Sequence, residues 1–291
     1  MARTDSPLRY PGGKTQLYEF VKNIIEINEI DNAIYIEPYA GGFGVGLRLL
    51  LNNDVGSVVI NDYDKSIYSL WYSIVNHTDQ LIDLIDKTPV TIETWHEQKE
   101  IYEKNKKYRN RLENGFSTLF LNRTNRSGII NAGPIGGYKQ NGNYKIDCRF
   151  NKDDIIKKIT RIAEQKERIK LFQKDALKLI DIIHNEYSSD NTFCFFDPPY
   201  YEQGKNLYTN FYKHNDHKKL AKKVMSLNDY YWITTYDFSP QIHEMYNKFN
   251  NKAYYYELRY SAQKKRKATE LLFASEKTKL VSKGKVELTE I

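Results

Sequence analysis

The stretch "AIYIEPYAGGFGVGLRLLLNN", Ala33 to Asn53, runs from a short apolar segment through a glycine-rich turn into a second apolar run. A brief apolar run bounded by turn residues reads as a buried strand, here Ile34–Glu37, and the change of spacing near Gly44 starts a helix. The next segment, "GSVVINDYDKSIYSLWYSIV" (Gly56–Val75), repeats the pattern. Its strand ends at Asn61-Asp62, and its amphipathic helix carries Ile67, Leu70, Trp71 and Ile74. Strand, helix, strand, helix predicts a doubly wound, mostly parallel sheet, whose ligands collect at the carboxyl ends of the strands.

From about Thr78 to Phe150 the alternation stops. A charged helical stretch, "TWHEQKEIYEKNKKYRNRLEN" (Thr94–Asn114), leads into "NRTNRSGIINAGPIGGYKQNGNYK" (Asn122–Lys145), dense in Gly, Asn and Arg. A polar loop of that length inside a compact domain is functional or disordered. The sheet pattern then resumes. Ile155–Lys170 reads as helix, "IKLFQKDA" (Ile169–Ala176) as strand, "ALKLIDIIHNEY" (Ala176–Tyr187) as helix, and "TFCFFDPPY" (Thr192–Tyr200) as a strand entering a turn. Further strands follow at "YYWITTYD" (Tyr230–Asp237), "AYYYELRY" (Ala253–Tyr260) and "TELLFAS" (Thr269–Ser275). The expectation is one sheet domain, residues 1–77 and 151–291, interrupted by an inserted segment over 78–150.

A chain of 291 residues can bury a full core. No stretch reaches the apolar length of a membrane span, and the charged N-terminus lacks a signal peptide's apolar centre, which predicts a soluble, cytoplasmic protein. Cys148 and Cys194 have neither metal-ligand spacing nor a disulfide framework, so no metal is expected. The net charge of +7 suits a polyanionic partner. The 24 tyrosines and 13 phenylalanines are interleaved with lysine in places, as in "NLYTNFYKHNDHKKLAKK" (Asn206–Lys223). Rings that stack on bases beside cations that meet phosphates give that texture, and so does an AT-biased coding composition.

Near the N-terminus, "PLRYPGGKTQL" (Pro7–Leu17) ends in the Gly-Lys-Thr of a phosphate-binding P-loop. The P-loop pattern needs a glycine five residues before Gly13, where Leu8 stands, and a buried strand upstream, where only "MARTDS" stands. Nucleotide hydrolysis is therefore a weak reading of this stretch.

Two other stretches carry more chemistry. In "FFDPPY", Asp197-Pro198-Pro199-Tyr200 follows an apolar strand directly. Neither proline has an N–H, so the backbone is stiff and its carbonyls are free to accept. A carboxylate, a fixed carbonyl and an aromatic face within four residues suit a planar base with an exocyclic amine. Asp197 and the Pro198 carbonyl would accept its two N–H bonds, and Tyr200 would stack on its ring. A strand merely ended by a Pro-Pro turn would look the same in isolation. In "EPYAGGFGVG" (Glu37–Gly46) the glycines permit close backbone approach to a ligand. The dinucleotide fingerprint fails, because Leu47 stands where Gly42 and Gly44 require a third glycine. Asp62, one strand later, can accept from ribose hydroxyls, which is the layout of a nucleoside-cofactor site.

Taken in order, "PLRYPGGK", "YIEPYAGGFGVG", "INDYDKSIY", "FLNRTNRSGI", "KDA" (Lys174–Ala176), "FFDPPY" and "TELLFAS" resemble the Dam-like adenine-specific DNA N6-methyltransferases over most of the chain. The resemblance implies an α/β class I methyltransferase fold, Rossmann-like. Its mostly parallel seven-stranded sheet has one antiparallel strand and carries an inserted, mostly helical DNA-recognition region. It implies S-adenosylmethionine as cofactor, held by Tyr10, Lys14, Glu37, Pro38, Gly41, Gly42 and Gly44. In the same pattern Asp62 takes the ribose, Asp175 and Ala176 approach the adenine ring, and Asp197 sits between cofactor and target base. Asp197, Pro198 and Tyr200 are the implied catalytic set, acting on an adenine flipped out of double-stranded DNA. The family often has tryptophan at the place of Tyr10 and phenylalanine at that of Tyr39, and both changes keep a ring. No membrane and no obligate protein partner is expected.

Within the inserted region, Arg123, Asn125 and Arg126 with Tyr138 and Lys139 are the candidates for reading DNA, by phosphate or bidentate guanine contacts. Arg109, Arg111 and Arg149 can also meet phosphate, although a solvated helix face explains Arg109 and Arg111 better. The stretch "AGPIGGYKQNG" (Ala132–Gly142) departs from the turn used by GATC-reading members, which argues against GATC as the recognition site. The run "SAQKKRKATE" (Ser261–Glu270) is expected to form a hairpin loop before the last strand, where Lys264, Lys265 and Arg266 would grip phosphates. His214 and His217 receive no chemical role. Three competing readings are an RNA or protein methyltransferase, an inactive DNA-binding relative and an ATPase. Release-factor glutamine enzymes carry asparagine, and N4-cytosine enzymes usually serine, where this chain has Asp197.

Overall fold

Ile34–Glu37 forms β1, and parallel strands flank it on both sides. It pairs with β2 (Ser57–Asn61), Ile34 opposite Ser57, and with β4 (Thr192–Phe196), Ile34 opposite Thr192. In the computed structural model, which describes residues 4–9, 14–105, 110–202, 212–247, 252–260 and 266–291, these strands are the centre of an eight-stranded sheet. Its other strands are β3 (Ile169–Phe172), β5 (Tyr231–Asp237), β6 (Lys252–Tyr260), β7 (Arg266–Ala274) and β8 (Thr289–Glu290). The order across the sheet is β3-β2-β1-β4-β5-β7-β6-β8. The first five strands are parallel, and β7 is antiparallel to both β5 and β6. This is the mostly parallel sheet with an antiparallel late strand expected from the sequence, with one correction. An eighth, two-residue strand, β8, pairs antiparallel with β6 at the sheet's edge, beyond the seven foreseen.

Successive residues of a strand point to opposite faces, so a strand covered on both faces reads as a continuous apolar run. That is why Phe193 and Phe195 enter one apolar layer while Cys194 and Phe196 enter the other. The first layer is covered by helices α1 (Tyr18–Ile27), α2 (Gly44–Leu51) and α3 (Lys65–Asn76). The second is covered by α8 (Ala176–Glu186), α9 (His214–Met225) and α10 (Pro240–Asn247).

The segment after α3 builds α4 (Thr78–Lys87), α5 (Ile92–Asn105) and α6 (Arg111–Thr124), followed past residue 150 by α7 (Lys152–Ala163). Leu81, Trp95, Phe120 and Ile155 belong to the same apolar layer as Tyr35 and Phe193, so these helices extend the sheet's own core. α6 lies close along α3. A Cβ on Gly115 would come 2.8 Å from the Ser69 carbonyl, so only glycine allows that approach. Every residue from Asn114 to Asn125 is buried, polar ones included.

The helix expected over Ile155–Lys170 ends at Ala163. A 3-10 turn over Lys166–Arg168 follows, and the Arg168 guanidinium is drawn onto the Val55 and Gly56 carbonyls beside the start of β2. That turn delivers Ile169 to its place opposite Val58. The basic run is also placed differently from the expected loop. Arg266 and Lys267 lie in β7, opposite Tyr260 and Arg259, and Lys264 and Lys265 lie outside the described residues, as do Tyr10 and Arg109. Among the described residues no helix is long and apolar enough to cross a membrane.

The strand order reverses at β1, with β2 on one side and β4 on the other, and this opens a crevice at the carboxyl ends. Asn61, fully buried at the end of β2, ties the crevice loops together. Its Nδ2 donates to the Pro38 and Lys174 carbonyls at 2.8 and 3.0 Å, and its Oδ1 accepts from the Lys174 N–H at 2.9 Å. Asn61→Ala would leave those three groups without their partner in a site closed to water. Urea denaturation should show a loss of about 3 kcal/mol, since orphaned buried polar groups cost roughly 1–3 kcal/mol each and partial relaxation recovers some of it.

Candidate active site

The turn after β1 is held open by its neighbours. Gly41 has φ 47°, a left-handed conformation that glycine adopts without a Cβ penalty. Its N–H donates to Asp62 Oδ2 at 2.9 Å, and its carbonyl accepts from the fully buried Trp71 indole at 3.0 Å. Gly44 opens α2 against the N-terminal segment, where a Cβ would lie 2.1 Å from Thr15 Oγ1. The 3-10 turn Thr15–Leu17 is thereby seated directly over the glycine turn. Lys14-Thr15 and the turn Ala40–Gly44 are far apart in the chain and adjacent in space.

Asp62 closes β2 in a half-buried position. Its Oδ1 accepts from the Asp64 N–H at 2.9 Å, and burial followed by the nearby Asp64 carboxylate pushes its pKa up to about 7. Each of its oxygens holds one backbone N–H, and a carboxylate oxygen can accept two bonds, so capacity for a ribose hydroxyl remains. Asp175, at the end of the next strand, caps α8 by accepting from the Leu177 N–H at 2.9 Å, and Ala176 is buried beneath it. Tyr63, beside Asp62, is 61% exposed. Two acceptor acids and an exposed ring at adjacent strand ends, next to a glycine turn, form a set of groups that fits a nucleoside.

At the end of β4, Asp197 has more partners than the sequence suggests. Lys14 Nζ lies 2.8 Å from its Oδ1 and 3.0 Å from its Oδ2, and Thr235 Oγ1 donates to Oδ1 at 2.9 Å. The same ammonium donates to the Tyr200 hydroxyl at 2.9 Å and stands 3.7 Å from Glu270. Glu270 is buried in β7 and accepts from the Tyr200 hydroxyl at 2.7 Å and the Tyr256 hydroxyl at 2.6 Å. Burial raises the Asp197 pKa, Lys14 beside it pulls the other way, and Glu270 adds to the rise. Glu37 is buried at the end of β1 and accepts from the Tyr35 hydroxyl at 2.6 Å. Burial lifts its pKa to about 8, against the pull of that bond.

The sequence-derived candidates therefore separate into groups. Glu37, Pro38, Gly41, Gly42, Gly44, Asp62, Asp175 and Ala176 gather at the ends of β1, β2 and β3, while Asp197, Pro198 and Tyr200 follow β4. Lys14, expected on the cofactor, donates to Asp197 and Tyr200. Tyr200, expected to offer its ring to a base, is buried with its hydroxyl turned to Glu270 and Lys14. The sequence reading missed Thr235, Glu270, Tyr256, Asn61 and Trp71. The signal for Glu270 was its place as a single acid in the apolar strand "TELLFAS".

Among the DNA-reading candidates, Arg126, Tyr138 and Lys139 are exposed, and Tyr138 stacks on His96. Arg123 and Asn125 are not exposed, which corrects their placement on a DNA-facing loop. Arg123 is the last basic residue of α6, directed at the Pro7 carbonyl, and burial followed by nearby Arg9 lowers its pKa to about 10. Asn125 is fully buried. It accepts from the Trp95 indole at 2.6 Å and donates to the Ile129 and Ile130 carbonyls. His217 is also buried, within ring contact of Tyr201, Tyr212 and Tyr236, and burial lowers its pKa to about 4. His214 is exposed and meets the Tyr201 hydroxyl.

Residues 10–252 match the model of the D12 class N6 adenine-specific DNA methyltransferase family. A type II methyltransferase of Methanocaldococcus jannaschii, M.MjaIII, is 24% identical over 82% of this chain and 88% of its own. The modification methylase LlaI of Lactococcus lactis subsp. lactis is 27% identical over 67% of this chain, a stretch that spans 29% of that longer protein. The type II methyltransferase M.CviBI of Paramecium bursaria Chlorella virus NC1A is 26% identical over 66% of this chain and 68% of its own.

The raised pKa of Glu37 has a consequence for stability. Between the unfolded value of 4.5 and the folded value of about 8, the native state holds a proton that the unfolded chain has released. The stabilisation is therefore complete at acid pH and is lost as pH rises through this window. Thermal unfolding from pH 5 to pH 8 should show a fall in Tm that is shallower by about 3 °C or more in Glu37→Gln than in the parent.

Proposed function

The chain belongs to the D12 class N6 adenine-specific DNA methyltransferase family; from that premise we propose that S-adenosylmethionine is its methyl donor and that Asp197, Pro198 and Tyr200 form its catalytic turn. The observation that carries the reading is the carboxylate of Asp197, fixed at a strand end beside a carbonyl that has no competing N–H. S-adenosylmethionine, when bound at this site, would supply an electrophilic methyl group on a positively charged sulfur. Asp62 would hold its ribose, Asp175 and Ala176 would border its adenine, and the turn at Gly41, Gly42 and Gly44 would admit its backbone-proximal part.

The amine of adenine is a poor nucleophile because its lone pair is delocalised into the ring. Asp197 and the Pro198 carbonyl would accept its two N–H bonds, favour a tetrahedral nitrogen and aim the lone pair at the methyl group. Transfer would be a direct in-line displacement, with the rate coming from positioning and electrostatics and with no covalent enzyme intermediate. An adenine inside a duplex must first leave its stack, at a cost of a few kcal/mol. Lys14 donates to both Asp197 oxygens, so the incoming amine competes with the ammonium for that carboxylate. The names of the relatives support a role as the modification enzyme of a type II system.

Asp197→Ala should lose at least about 100-fold in transfer of labelled methyl to duplex DNA, because both positioning and charge stabilisation go with it. Its DNA binding should be largely kept, and wild-type turnover in this variant would overturn the assignment. On the DNA side, Arg126→Ala and Lys139→Ala should each lower the slope of log K against log salt by about one, as expected for a lost phosphate contact. Arg123→Ala should leave that slope unchanged and reduce stability instead.

A further inference from the structure

The two ends of the Asp197–Tyr200 turn are held by one strand. Thr235 and Asp237 lie two residues apart on β5 and so project to the same side. Thr235 Oγ1 binds Asp197 Oδ1 at 2.9 Å, at the start of the turn. Just past its end, Asp237 accepts the Tyr201 N–H on Oδ1 at 2.8 Å and the Glu202 N–H on Oδ2 at 3.0 Å. Pro198 and Pro199 offer no N–H, so the turn has few backbone donors by which it can be anchored. Hydrogen bonds to an ionised carboxylate are among the stronger ones available, and Asp237 is only 7% exposed. Across the ladder Asp237 lies opposite Glu270, the residue that holds the Tyr200 hydroxyl. The chain therefore leaves the turn along a path set by adjacent positions of β5 and β7.

We propose that Asp237 is a positioning residue for methyl transfer, holding the chain after Tyr200 so that the Asp197 carboxylate and the Pro198 carbonyl converge on one amine. This rests on the reading of Asp197–Tyr200 as the catalytic turn. Asp237 touches neither substrate nor cofactor in this account. Its effect falls on the step after both are bound, because a small misplacement of the acceptors lowers the rate of transfer without removing any binding contact.

The test is single-turnover methyl transfer to a duplex oligonucleotide by Asp237→Ala, Asp237→Asn, Asp197→Ala and the parent. Affinity for S-adenosylmethionine and for DNA is measured on the same preparations, together with Tm. Asp237→Ala should transfer about 100-fold more slowly, with both affinities within about threefold of the parent. Asp237→Asn, which keeps an acceptor oxygen for one of the two N–H groups, should recover about a tenth of the parent rate. If Asp237→Ala does not fold, the same split between rate and affinity in Asp237→Asn decides. A rate within twofold of the parent in both Asp237 variants, with Asp197→Ala inactive, overturns the positioning role and leaves the catalytic turn standing. Equal losses of rate and of both affinities, with no recovery in Asp237→Asn, also overturn it and reduce Asp237 to a structural residue. Parent-like transfer by Asp197→Ala would remove the catalytic reading itself.

Discussion

One ammonium, that of Lys14, stands between the half-buried carboxylate of Asp197 and the buried one of Glu270. It donates to both oxygens of Asp197 and lies near Glu270, with its own side chain almost wholly shielded from water. Burying charges in this way costs several kcal/mol per ion before pairing, and only close pairing with further hydrogen bonds offsets it. Thr235, Tyr200 and Tyr256 supply those further bonds. Removing any one partner would leave a buried charge short of compensation.

Much of the remaining architecture brings these groups together. Lys14 arrives from the N-terminal segment, and its approach is possible because Gly44 leaves room for Thr15. Asp197 ends a strand buried on both faces, Thr235 projects from the neighbouring parallel strand, and Glu270 comes from the strand that runs the other way. The antiparallel insertion of β7 next to β5 sets Glu270 opposite Asp237, at the level of the turn. The glycine turn is held on the other side of the sheet's switch point by Asp62, Asn61 and Trp71.

What could be read from the sequence was local. Strand ends marked by an abrupt polar residue, Glu37, Asp62 and Asp197, all fall at the carboxyl edge as their patterns indicate. The glycine turn is legible because a left-handed residue and a close approach demand particular residue types. Partners distant in the chain were not legible: nothing near "PGGK" states that its lysine will meet a carboxylate 183 residues later. Arg123 and Asn125 were misplaced for a related reason. Polar residues usually mark a solvated face, but α6 is buried all round from Asn114 onward, and its Ser117, Thr118, Asn122 and Thr124 side chains donate to backbone carbonyls. Periodicity carries no sign of such a helix, because it has no wet side. The 3-10 turn that ends α7 early depends on the Arg168 guanidinium finding carbonyls near β2, a tertiary event.

As a D12 class enzyme, this chain places a methyl group on the exocyclic amine of adenine in DNA. Incubating it with duplex DNA and S-adenosylmethionine bearing a labelled methyl, digesting the DNA to nucleosides and separating them tests that claim directly. The label is expected to co-migrate with N6-methyldeoxyadenosine and with no other nucleoside. Label in N4-methyldeoxycytidine, or DNA left unlabelled while RNA or protein is methylated, would contradict it.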